Sequence, residues 1–194
     1  MTKKEKITDQ ISRMDRIIGW VKVCDDKTSI LLSVALLVPT VTIGTDWVLE
    51  KIQGVFSLFV SACKEHGEGY NFSIPNFISI LLLITTLVFF ALCLIKFINV
   101  LKAKIDENAY SDDTKQDSLI HFNNLSKIDN FEAYKQMVFS ETDDLYYEDL
   151  LSQTYINAKR CAEKFIDYNS GVCWLCWAIV SLVVFVVSLF FITI

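Results

Sequence analysis

Three cations, Lys159, Arg160 and Lys164, stand just ahead of a long uncharged run, among Tyr155, Phe165 and Tyr168. A second group, Asp25-Asp26-Lys27, sits at the mouth of an earlier uncharged run. A nucleotide ligand needs cations for its phosphate and an aromatic or hydrogen-bonding wall for its base, and these residues carry both chemistries. The competing reading is anchoring, because Lys and Arg at helix ends snorkel toward water and set topology. Spacing alone favours anchoring and leaves both readings open. Other chemistry is sparse. The sequence has no HExxH, GxSxG, P-loop or GxGxxG. His66 and His121 fall on opposite predicted sides of a membrane, so they share neither a metal nor a relay. Asp143, Asp144, Glu148 and Asp149 read as capping and solvation at a first helical turn rather than as an acid/base cluster. Cys173-Trp-Leu-Cys176 has the C-x-x-C spacing without a second pair or an electropositive setting, and reads as small apolar side chains on a buried helix. No enzyme, metal or cofactor is expected.

The elements that must position these residues follow from the charge distribution. The chain holds 18 Lys+Arg and 23 Asp+Glu, yet three stretches carry none of them: 18 residues at Thr28–Thr45, 27 at Gly69–Ile95 and 27 at Tyr168–Ile194. A soluble domain does not segregate charge this way, since each surface element needs a polar face. Uncharged apolar runs of about 18 or more residues read as membrane-spanning helices. The pattern excludes an ordinary soluble enzyme, a basic nucleic-acid-binding domain and a secreted disulfide scaffold. No cleavable signal peptide is expected, because a charged segment of 27 residues precedes the first run.

The expected fold is an all-α membrane protein with three transmembrane helices. A small cytoplasmic helical bundle would be formed by the N-terminal helix and the 96–167 region. The expected boundaries are 1–27 for a cytoplasmic amphipathic helix, 28–48 for the first span and 49–73 for an external connection. The second span follows at 74–95, a cytoplasmic helical region at 96–167 and the third span at 168–194. Residues 1–27 carry seven Lys/Arg, the connection at 46–68 carries two, and 96–167 carry nine. The positive-inside rule therefore places the first and last of these segments in the cytoplasm.

Finer features follow from spacing. Ile7, Ile11, Met14, Ile18 and Val21 form an a/d seam. The first span is the shortest and richest in small and hydroxylated residues, with Pro39 suggesting a kink or break, so it should pack inside the bundle or line a pore. The apolar run Ile52–Ala62 is too short to cross and suits the interface. Pro75 suits a first helical turn, and 106–118 read as a polar turn. Asp129 and Glu132 make a capping-box pair. Thr142 opens a helix whose apolar row is Tyr147, Leu151, Tyr155, Ala158, Ala162 and Phe165, and no Pro interrupts it before the C-terminus.

At these residues the chain resembles the transmembrane effectors of Pycsar antiphage systems. The matching pattern is a helix ending in Asp-x-Lys, here Asp25-Asp26-Lys27, that leads into Leu31-Leu32-Ser33 of a first span. Phe122, Leu125, Glu132 and Tyr134 resemble the family's middle element, and Gln153, Tyr155, Ala158, Lys164 and Phe165 its last one. Leu125 stands where Ile is expected, and Phe165 where Tyr is. The resemblance implies an inner-membrane effector whose cytoplasmic helices sense a cyclic nucleotide made by a partner cyclase. A cyclic pyrimidine mononucleotide (cCMP or cUMP) is the expected messenger. Activation would impair membrane integrity and cause abortive infection. The expected ligand-binding residues are Asp25, Lys27, Tyr134, Lys159, Arg160 and Lys164. The expected partners are the lipid bilayer and further copies of the chain, with no nucleic acid polymer. A membrane scaffold or small channel-like protein is the alternative.

Overall fold

In the computed structural model, which describes residues 2–64, 74–102 and 117–191, the chain is a succession of helices. These are α1 (Lys3–Ile43), α2 (Asp46–Lys64), α3 (Ile74–Leu101), α4 (Phe122–Leu125), α5 (Phe131–Ser140) and α6 (Asp143–Leu189). No strand occurs among the described residues. The predicted polar turn at 106–118 lies largely outside them, as does His66. Two units are distinguishable: a charged one of residues 1–26 and 102–166, and an apolar one of 27–101 and 167–194.

Helix α1 begins in a reciprocal capping box: Thr2 N donates to Glu5 Oε2 at 2.7 Å, and Glu5 N to Thr2 Oγ1 at 3.3 Å. It runs on through Pro39 without a break, so the proline does not end the span. The helix stops at Ile43, short of the predicted boundary at 48, and α2 starts at Asp46. Near its end, Gly44 N donates to Thr40 O at 2.9 Å. Helix α6 is continuous over 47 residues, as the proline-free sequence predicts. Pro75 does occupy the first turn of α3.

The charged unit is built on a parallel pair. Lys3 bonds Asp144 at 2.7 Å, Gln10 Nε2 donates to Thr154 Oγ1 at 2.8 Å, and Lys164 Nζ donates to Asp25 Oδ1 at 2.6 Å. These rungs ascend together along α1 and α6 for about 30 Å. The inward stripe of α1 keeps a seven-residue repeat but is displaced from the predicted seam: Gln10 and Cys24 are buried and Met14, Ile17 and Val21 half-buried, while Ile18 is 48% exposed.

In the apolar unit α3 and α6 run antiparallel. The rungs are Lys96–Asp167 at 2.8 Å, Phe89–Trp174 with ring centroids 5.7 Å apart, Thr86–Ser181 at 2.7 Å and Ser79–Ser188 at 2.9 Å. Their length along the helices, about 25–30 Å, matches a bilayer's hydrocarbon core. The ion pair uses the first charge beyond each of these two uncharged runs and marks one end of the ladder. Phe97 is fully buried against Gly171, where a Cβ would lie 2.5 Å from the ring. Only a glycine permits that approach.

Three helices are long and apolar enough to cross a membrane, which makes this a multi-pass membrane protein. Within the single chain the first span is not the enclosed one. Its apolar window is 11% buried, against 33% for the window in α6. Its hydroxyls bond their own helix instead, Ser33 to Ser29 O, Thr40 to Leu36 O and Thr42 to Val38 O. The hydroxyl pairs that join helices come from α3 and α6. Helix α2 lays Val48 and Val55 into the apolar core and exposes Glu50, Gln53 and Ser57, as an amphipathic segment requires.

Candidate functional site

The six ligand-binding candidates do not converge on one pocket. Asp25 and Lys164 meet, but as each other's partners across α1 and α6, at 2.6 Å and half-buried. Lys27 is two residues further along α1, hence about 200° around the helix, and it is exposed at the start of the apolar unit. The Asp-x-Lys spacing therefore cannot present both charges on one face. Lys159 sits over the ring of Tyr155, 4.6 Å from its centroid, a cation–π contact on the exposed side. Arg160 lies on the half-buried side. Tyr134 is on α5, 36% exposed, with its ring 6.3 Å from that of Phe131. In this state Lys159 and Lys164 are engaged with their neighbours rather than gathered into one cradle.

A different row was not foreseen. Asp149, assigned to solvated capping in the sequence, is completely buried, and its Oδ2 accepts the Leu119 backbone N–H at 2.9 Å. Gln153, one helical turn on, is 2% exposed. Among the described residues neither Asp149 Oδ1 nor Gln153 Nε2 has a hydrogen-bond partner. Leaving such a group buried and unpaired costs about 1–3 kcal/mol, more for a charge. Ser118, also buried, accepts from the backbone N–H of Ile120 and His121, so the 118–121 segment is clamped to α6 through Leu119. Burial holds the His121 pKa below its usual value; the Arg160 charge adds to this and Asp149 opposes it. The Cys161 thiol is pushed up by burial, with Lys164 opposing.

The missed signal was register. The apolar row predicted for α6 faces outward at Leu151 (43% exposed) and Tyr155 (53%), while Asp149, Leu150, Gln153 and Ile156 face inward. The polar pair Asp149 and Gln153, four apart and on the same helix face as Leu150 and Ile156, was the available clue. Helix α5 is capped by Asn130, whose Oδ1 accepts from Ala133 N at 2.9 Å. The cap is thus one residue later than the Asp129–Glu132 pair, and no residue of α5 is buried. Cys173 and Cys176 are exposed on α6, not packed within it. An open cleft of about 340 Å³ lies in the charged unit, lined by Asp117, Ser118, Leu119, Asn124, Lys127, Ile128 and Met137. None of the six candidates lines it. Its size and its mix of polar and apolar walls suit a small polar ligand.

Comparison with known proteins supplies the identity of this arrangement. The chain is 28% identical over 192 residues to the Pycsar effector protein GmPycTM of Gulbenkiania mobilis, covering 96% of this chain and 93% of that protein. No solved structure matches. Residues 11–192 match the Pycsar effector protein domain, a span that takes in the α1–α6 pair, the clamped 118–121 segment and the three crossing helices. With nearly its whole length inside that match, the chain belongs to the Pycsar effector family.

Proposed function

We propose that this protein is a membrane effector of antiphage defence that is activated by a cyclic nucleotide, a cyclic pyrimidine mononucleotide such as cCMP or cUMP, and then impairs the integrity of the inner membrane. The observation that carries the reading is the family match over residues 11–192 in a chain with three helices able to cross a bilayer. A partner cyclase would supply the ligand. The charged unit, whose Lys/Arg content suits the cytoplasmic side, would be the sensor. Helices α1 and α6 are continuous from one unit into the other, so a shift in the sensor has a covalent path to the spans. A ligand biases such a shift only by binding one state more tightly. The half-buried Asp25–Lys164 pair is a natural element to differ between states.

Assembly into oligomers is part of the reading. It is supported by the outward apolar row Leu151 and Tyr155 and by the exposed Phe131, Val138 and Phe139 of α5, since such surfaces on a folded protein mark contacts. The test is made in cells. Co-expression with a cyclase producing cCMP or cUMP should admit propidium iodide and stop growth, whereas a catalytically dead cyclase should not. Dye exclusion despite measured accumulation of the nucleotide would refute activation. Lys27→Ala and Lys164→Ala test the two cation candidates, and unchanged ligand affinity in either variant would remove that residue from the site.

A further inference from the structure

Asp149 Oδ1 and Gln153 Nε2 are an acceptor and an amide donor, one helical turn apart on the buried face of α6, and neither has a hydrogen-bond partner among the described residues. The combination is selective. A metal ion or ammonium group would satisfy the carboxylate and leave the amide N–H unmatched; an anion would satisfy the amide and be repelled by the carboxylate. A group that donates and accepts from neighbouring atoms satisfies both, and the hydrogen-bonding edge of a nucleobase is such a group. Carboxylates accept from the exocyclic amine of cytosine, and carboxamides bond base edges, for this reason.

Neither Asp149 nor Gln153 lines the adjoining cleft, so a base reaches them only when the Leu119 segment moves aside. Leu119, whose amide is held by the other oxygen of Asp149, is also a wall of the 340 Å³ cleft. The same cleft is lined by Lys127 and Asn124, a cation and an amide suited to a phosphate and a sugar, and by the apolar Ile128 and Met137. All of these residues belong to the charged unit.

We propose that Asp149 and Gln153 read the base of the activating nucleotide, with Asp149 Oδ1 accepting from the base and Gln153 Nε2 donating to it, while Lys127 takes the phosphate at the cleft. This rests on the reading that the ligand is a cyclic nucleotide.

The test uses the full chain in nanodiscs, titrated calorimetrically with cCMP, cUMP, cAMP and cGMP, with thermal unfolding recorded alongside. Gln153→Leu replaces an unmatched amide by an apolar side chain of similar size. Its unliganded melting temperature should therefore equal or exceed that of the wild type, while affinity for the preferred nucleotide falls at least about tenfold. Asp149→Asn retains an oxygen for the Leu119 N–H and should lose affinity to the same extent. Wild-type affinity in both variants would overturn the assignment and leave the sensing reading intact. A lowered unliganded melting temperature in Gln153→Leu would also overturn it, because the amide would then serve the resting fold, for instance through a buried water. Failure of the wild type to bind any of the four nucleotides would overturn the sensing reading and this inference together.

Discussion

Gly171→Ala isolates the tightest contact in the apolar unit. A Cβ at this position would stand 2.5 and 2.6 Å from Cε1 and Cδ1 of Phe97, and 3.3 Å from Cζ. Phe97 has no exposed surface, so its ring cannot swing out to make room, and either the rotamer or the separation of α3 and α6 must change. Overpacking of this kind costs about 1–3 kcal/mol. Replacing a mid-helix glycine by alanine returns about 0.5–1 kcal/mol through backbone entropy. The overlap wins, and the net loss should be about 1–2 kcal/mol. Phe97→Leu alone should also destabilise by leaving a cavity. Combined with Gly171→Ala it should cost less than the two single losses added together, with a coupling of about 1 kcal/mol, as expected for residues in direct contact. Unfolding in mixed detergent micelles, followed by tryptophan fluorescence, measures both numbers; Trp174 lies in the same helix pair, packed on Phe89. A Gly171→Ala protein as stable as the wild type, or strict additivity with Phe97→Leu, would refute the close approach of the helices.

Further outcomes follow from other contacts. Breaking the Asp25–Lys164 pair by Lys164→Ala should cost about 1 kcal/mol or less, because both side chains retain access to water; the charge-reversed double variant should recover most of it in thermal unfolding. His121 has a lowered pKa in the folded protein, so the unfolded chain binds more protons at acidic pH. Stability should therefore be fully present above the usual histidine value of about 6.5 and decline as pH falls below it, and His121→Asn should flatten that part of the profile. Asn130→Ala removes the side-chain cap of α5 and should reduce protection of its amides from hydrogen exchange, corresponding to about 1 kcal/mol. Thr86→Val together with Ser181→Ala removes both partners of a buried hydroxyl pair, and should be better tolerated in detergent unfolding than either change alone.

Charge segregation made the three crossing helices and the long final helix legible, because an uncharged run in lipid has few other solutions. Helix burial was less legible. In water the apolar row is the buried one, yet Leu151 and Tyr155 face outward while Asp149 and Gln153 face inward; hydrophobic periodicity cannot anticipate a core chosen for its polar groups. The hydroxyls of the first span misled for a related reason. A Thr or Ser in a helix can bond its own i−4 carbonyl, as Thr40 and Thr42 do, or reach across, as Thr86 also does to Ser181, and sequence does not distinguish these. The cations Lys159, Arg160 and Lys164 were legible as a group, but which of them meets an acid depended on α1, more than a hundred residues away in the chain.

The most direct test of the central claim is dye release from liposomes containing the purified protein, challenged in turn with cyclic mononucleotides and cyclic dinucleotides. Release triggered by a cyclic pyrimidine mononucleotide, and not by buffer or by the linear monophosphate, is the predicted result. Retention of dye with every ligand, from protein shown to be folded and inserted, would contradict it.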